Sequence, residues 1–596
     1  MTENAIAWDL TEIFSSPEDS KILKTMDSLD KIAEQLIKSY KGKINSTKFL
    51  PKDLLDLIKK NEKLIADLGD LDIYANRLYD ANQNDLIAKG LKKRVDDFET
   101  ELLKKITFID IEIGKLFQTR AEIIEDPILK DYKHYLKKFK RLAPHLLSEV
   151  EEQIILEKDQ FGIKAWSDLQ SEWLNSREYL VEVEGEEKVL SYGEANSLLT
   201  HPDRNTRIST NKSIYATLGK EEILYSTTLR NIFSDWLKIV ERRKYESPMH
   251  HSLIANDTTQ EIIDSLMKTM EENAGIYQRY LTIKAKILGY PILSCADVHA
   301  PLPNSRKKSR TWNETKELIL EAYRNFDESF ETYALDMFEK KHIDATVRKG
   351  KRNGAYCDTW YNGKSCYILL SFTGSLREIY TLAHELGHAI HGYMASREQT
   401  VFNLHPGASV AETASIFGEL LLTDLLLSKA DSVEEKKAIL AQVLDEAGQA
   451  AFQVSSRVWF EQSLYDAIKN KEALDGKSIS NYWITARDKI YGGSVDWFEE
   501  MDWEWAMKGH YYIPNFRFYN YPYVYAQLFV YALYQKYKTE GKNFIPKFKK
   551  LLKAGGSLSP EELGKIMDLD ITKPDFWKLG IKQYEEFVNQ LEELIK

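Results

Sequence analysis

The stretch Thr381-Leu382-Ala383-His384-Glu385-Leu386-Gly387-His388 constrains this chain more than any other. It contains His-Glu-x-x-His. On a helix, a spacing of four sets two imidazoles one turn apart on one face, where both can meet a single small cation. Glu385 falls about 100° round the helix from His384, so its carboxylate can reach a water on that cation without being a ligand. The pattern reads as the helical heart of a zinc site. Its flanks predict the helix. Ser375 and Glu378 make a Ser-x-x-Glu capping box, and Ile379, Leu382, Ala383, Leu386 and Ile390 recur at helical spacing. Gly387 costs a helix about 1 kcal/mol against alanine, which predicts the close approach of another element there. Five residues alone would equally suit a buried helix whose histidines are only hydrogen-bonded, so the wider context has to decide.

A zinc site needs a third protein ligand, and a catalytic one keeps the fourth position for water. From Ala408 the pattern predicts a second helix running to Leu427. Glu412 lies 24 positions after His388, and Glu419 is two turns further along the same face. We assign Glu412 as the third ligand and Glu419 as the carboxylate that orients a ligand histidine.

These motifs carry a family resemblance. Gly354-Ala355-Tyr356-Cys357, Ser371-Phe372-Thr373-Gly374-Ser375-Leu376, the stretch from Thr381 to Gly392, and Ser409-Val410-Ala411-Glu412-Thr413-Ala414-Ser415 resemble oligoendopeptidase F, within the wider thimet-oligopeptidase family of zinc metallopeptidases. The opening Trp8-Asp9-Leu10-Thr11-Glu12-Ile13 and His201-Pro202-Asp203-Arg204 look like the same family, so the likeness covers most of the chain. It implies a mostly α fold in which two helical lobes enclose a deep channel, with a small β-sheet beside the zinc helix. It implies one zinc ion per chain, held by His384, His388 and Glu412. Glu385 would activate a zinc-bound water for hydrolysis of internal bonds in short, unstructured peptides. The segment His510 to Tyr525 is rich in tyrosine, and by resemblance His510, Tyr519 and Tyr523 donate hydrogen bonds to the tetrahedral intermediate. The strand opening at Gly354, Ala355 and Tyr356 would hold the peptide in extended form, edge to edge. A carboxypeptidase or dipeptidase on the same scaffold is the alternative activity. A non-catalytic, peptide-binding helical protein is a third reading, but it would be expected to lose Glu385 or a ligand, and none is missing.

Composition narrows the partners. A net charge of −11 argues against a general nucleic-acid binder, and the cluster Arg306-Lys307-Lys308-Ser309-Arg310 reads as a solvated loop. No apolar stretch approaches the length of a membrane span, and the first residues lack the basic start and apolar run of a signal peptide. Cys295, Cys357 and Cys366 cannot all pair, and we read them as reduced packing residues. These points predict a cytoplasmic protein with no membrane or nucleic-acid partner. They leave the oligomeric state open.

Helical patterns run from Ser16-Pro17 to Gly42, then through 54–68, 86–113 and 123–142. Tyr179 to Leu190 alternates around Gly185 and predicts a β-hairpin. We expect a division near 190, separating an α-helical N-terminal region, 1–190, from a catalytic region, 191–596. A long loop is expected at 290–312. Ala355 to Trp360 and Ser365 to Phe372 predict two strands around Asn362-Gly363, and Pro522 predicts a helix start.

Overall fold

The computed structural model describes residues 6–302, 309–514 and 516–596. Residues Arg306 to Lys308 of the basic cluster lie outside them, as do the first five residues. The chain is 72% helical, and the three small sheets among the described residues serve as local fittings on a helical body. No helix among the described residues is long and apolar enough to cross a membrane.

The chain forms two compact units, each assembled from three separate segments. The first comprises Met1–Pro144, Lys308–Lys429 and Lys536–Asp570. The second comprises His145–Lys307, Ala430–Gln535 and Ile571–Lys596. The division expected at 190 falls inside the second unit.

In the first unit the opening helix, Ser20–Tyr40, starts later than Ser16-Pro17 implies. The Asp19 carboxylate accepts from the Lys21 N–H and takes the capping role, while Ser16 to Asp19 forms a preceding turn. Ile22, Met26, Leu29, Ala33 and Leu36 then bury one face. The long helix Pro51–Ala81 packs beside it, with Leu54, Leu57, Leu64 and Leu71 inward.

A three-stranded sheet in this unit has the spatial order Ile343–Asp344, Ser365–Leu369, Tyr356–Trp360. The last two are antiparallel, with Tyr356 opposite Leu369 and Trp360 opposite Ser365. Tyr356–Trp360 is therefore an edge strand. Its connection to Ser365 runs around Asn362-Gly363, as expected. Four residues intervene, and Lys364 takes the left-handed conformation (φ +50°). Gly363 has another role: a Cβ there would stand 2.0 Å from the Trp360 ring.

The second unit contains the expected hairpin, Tyr179–Val183 with Glu186–Leu190, turned by Glu184 and Gly185, both at positive φ. Pro522 sits at the second residue of the helix Tyr521–Glu540, as its fixed φ favours.

Candidate active site

The motif helix, Leu376–Glu398, is built as its sequence predicts. Ser375 Oγ accepts from the Glu378 N–H, and Glu378 Oε2 accepts from the Ser375 N–H at 3.1 Å. Tyr323, fully buried, donates from its hydroxyl to the Ala383 carbonyl at 2.6 Å and braces the helix one residue before the first histidine.

The second helix departs from expectation in one useful way. It is broken at Glu412, which ends the short turn Ala408–Ala411 (ψ 7°) and precedes the helix Thr413–Lys429. The Glu412 carbonyl accepts from the Ile416 N–H, so this glutamate stands at the helix's N-terminal boundary. That helix packs directly on the motif helix at Gly387. A Cβ at Gly387 would stand 2.4 Å from the Ala414 carbonyl oxygen and 2.5 Å from the Ser415 Cα.

This packing brings three donor atoms together. His384 Nε2 and His388 Nε2 are 3.1 Å apart. Glu412 Oε2 lies 3.2 Å from the first and 3.1 Å from the second. Tetrahedral zinc with bonds of about 2.0–2.1 Å sets its ligand atoms about 3.3–3.4 Å apart, so the set fits one such ion. Among the described residues, it is the one group of three with metal-ligand chemistry at this spacing. The tautomer fits too. Glu419 Oε1 is 2.5 Å from His384 Nδ1, so that nitrogen carries the proton and Nε2 faces the other ligands bare. Ser415 Oγ donates to Glu412 Oε2 at 2.7 Å.

Glu385 is not one of the donors. It is buried, and burial holds its carboxyl above the ordinary range despite His384 and His388. A carboxyl so placed accepts a proton more readily than an exposed one.

At the edge strand, Gly354 and Ala355 are exposed, and Gly354 has φ +92°. The Tyr356 hydroxyl is committed to Asp80 Oδ2 at 2.6 Å. Asp358 pairs with the buried Arg77 at 2.7 Å, and Trp360 Nε1 donates to Asp70 at 2.7 Å. These alternate residues fasten one face of the strand to the helix Pro51–Ala81. Cys366, in the neighbouring strand, donates weakly to the Ala389 carbonyl of the motif helix at 3.6 Å. All three cysteines are free.

In the second unit, His510, Tyr519 and Tyr523 form one group. Ring centroids are 5.6 Å apart for His510–Tyr519, 6.0 Å for His510–Tyr523 and 5.8 Å for Tyr519–Tyr523. Tyr523 is exposed. Burial and the nearby Arg457 lower the pKa of His510, which favours the neutral imidazole.

A His-Glu-x-x-His helix joined by a carboxylate at the head of the next helix defines a metallopeptidase site. Comparison with known proteins is specific. The model for peptidase family M3 matches residues 197–582, and the oligopeptidase F N-terminal model matches 118–176. The chain belongs to peptidase family M3. Oligopeptidase PepF of Bacillus subtilis is 26% identical over 594 residues, covering 99% of this chain and 87% of that protein. Group B oligopeptidase PepB of Streptococcus agalactiae is 26% identical over 605 residues, covering 100% and 98%. The crystal structure of oligoendopeptidase-F from Enterococcus faecium superposes with a TM-score of 0.70 at 22% identity, covering 96% of this chain and 99% of that one. The protein is thus a metallo-oligopeptidase of mostly helical fold.

Proposed function

We propose that this chain is a zinc-dependent endopeptidase of short, unstructured peptides. The observation that carries the reading is the triad of donor atoms at 3.1–3.2 Å with the buried Glu385 beside it. His384, His388 and Glu412 would hold one zinc ion, and Glu419 would fix the His384 ring. The ion, when bound, supplies Lewis-acid activation of water and of the scissile carbonyl. Glu385 takes the proton of the attacking water and delivers it to the leaving amine. His510, Tyr519 and Tyr523 donate to the oxyanion as it forms. Their grouping in the second unit and the family resemblance support that role.

Gly354, Ala355 and Tyr356 bind the peptide through backbone groups of the edge strand. The commitment of the Tyr356 hydroxyl to Asp80 supports a main-chain contribution. A deep channel would admit extended oligopeptides and refuse folded chains. The three unpaired thiols support a reducing, cytoplasmic setting.

A cleavage map tests the activity. Peptides blocked at both ends should be cut at internal bonds, and a chelator should stop the cutting. Products that appear only from peptides with a free C-terminus would replace this reading with a carboxypeptidase.

A further inference from the structure

The turn that presents Tyr519 is held by a residue to which the proposed reaction gives no part. Glu461, on the helix Val454–Lys469, is fully buried. Its Oε1 accepts from the Phe518 backbone N–H at 2.8 Å. Phe518 has φ +51°, a conformation that a bulky side chain rarely adopts unless its surroundings impose it. Those surroundings are visible. The Phe518 ring stacks on Tyr465, one turn along from Glu461, with centroids 5.4 Å apart. The Phe518 carbonyl accepts from Ser252 Oγ at 3.2 Å. Two residues on, the Asn520 carbonyl accepts from the Tyr523 N–H at 3.2 Å and so helps set the first turn of the helix that carries Tyr523.

The Asn520 side chain is buried as well. Keeping Glu461 in this place is costly. Burial pushes its carboxyl up to about 7, against the Phe518 N–H, Arg517 and Asn520, which pull it back. A hydrophobic residue would pack here at lower cost, but it would leave the Phe518 N–H buried and unpaired.

We propose that Glu461 is a positioning residue for peptide hydrolysis. By holding the Phe518 turn, it fixes where His510, Tyr519 and Tyr523 stand relative to one another. The inference rests on the donor role proposed for those three residues. It goes beyond that role in assigning the support to a carboxylate 49 positions before His510.

The test is steady-state kinetics on full-length, metal-loaded protein, with metal content and a melting curve recorded for each variant. Glu461→Met removes the acceptor at nearly constant size. It should lower kcat by roughly 10–100-fold, the penalty of a misplacement of about 1 Å, with KM changed less than about threefold and metal content unchanged. Glu461→Gln restores an acceptor for the Phe518 N–H and should recover kcat to within about threefold of wild type. Should Glu461→Met fail to fold, Ser252→Ala reads the same turn, since it removes the donor to the Phe518 carbonyl. It should lower kcat and spare KM. Wild-type kcat in folded Glu461→Met, or in Ser252→Ala, overturns the inference. Tyr519→Phe, Tyr523→Phe and His510→Ala separate the two levels of failure. If they lower kcat while the Glu461 and Ser252 variants do not, the positioning role alone falls. If they too leave kcat unchanged, the donor role falls and the inference with it.

Discussion

Gly387→Ala is the substitution whose outcome the packing specifies most sharply. On an isolated helix the change gains about 1 kcal/mol. Here the new methyl would stand 2.4 Å from the Ala414 carbonyl oxygen and 2.5 Å from the Ser415 Cα, both backbone atoms of the neighbouring helix. Ordinary contact begins near 3.4 Å, so the two helices must part by about 1 Å. Overpacking of this kind costs about 1–3 kcal/mol and cancels or exceeds the gain in helix propensity. The functional effect should be larger than the effect on stability. Glu412 is two residues before Ala414, and its oxygen must stay 3.1–3.2 Å from both histidine nitrogens to share an ion with them. A separation of 1 Å breaks that spacing. We expect metal affinity to fall by about 10–100-fold, in the range seen when a ligand's support is removed, while the melting temperature of the metal-free protein changes by a few degrees at most. Competition with a metal-binding dye measures the first, and a melting curve in chelator measures the second. A variant about 1 kcal/mol more stable, with metal affinity unchanged, would refute the argument that Gly387 is there for close approach.

The other expectations concern single roles. Glu385→Gln should keep fold and metal but lose nearly all turnover, because an amide cannot take the proton; activity near wild type would remove the general base. Glu412→Ala should lose metal outright by elemental analysis, and retention of a full equivalent would move the third ligand elsewhere. Glu419→Ala should weaken metal binding by about 10–100-fold and leave the other ligands in place; an unchanged affinity in a competition assay would mean that the contact with His384 does not orient it. Tyr523→Phe should leave the melting curve unchanged and lower kcat by roughly 10²–10³-fold with KM little affected; unchanged turnover would pass the donor role to Tyr519. A cleavable sequence should be cut when free and resist when displayed on a tightly folded carrier, and equal rates by mass spectrometry would argue for an open cleft.

What was legible in the sequence was what local rules control. The capping box at Ser375, the one-turn spacing of the histidines and the cost of Gly387 all depend on residues within a few positions, and each has its counterpart in the structure. Asn362-Gly363 marked a strand reversal correctly but for another reason, since the left-handed residue is Lys364 and the glycine makes room for the Trp360 ring. The break at Glu412 was not legible, because Ala408 to Leu427 is uniformly compatible with helix and only the meeting with the motif helix distinguishes that position. Long-range support was the least visible. Arg77, Asp80 and Asp70 hold the edge strand from nearly 300 residues upstream, and no local pattern pairs them with Asp358, Tyr356 and Trp360. The two compact units draw on three separate segments each, a grouping set by contacts between residues far apart in sequence.

The central claim is that one ion, held by His384, His388 and Glu412, makes this chain an endopeptidase. The most direct measurement is hydrolysis of a peptide blocked at both ends, by protein stripped with a chelator and then titrated with zinc. The account predicts no cleavage in the stripped protein. Internal cleavage should return in proportion to added zinc and level off at one equivalent per chain. Undiminished cleavage by protein shown to hold no transition metal would contradict it.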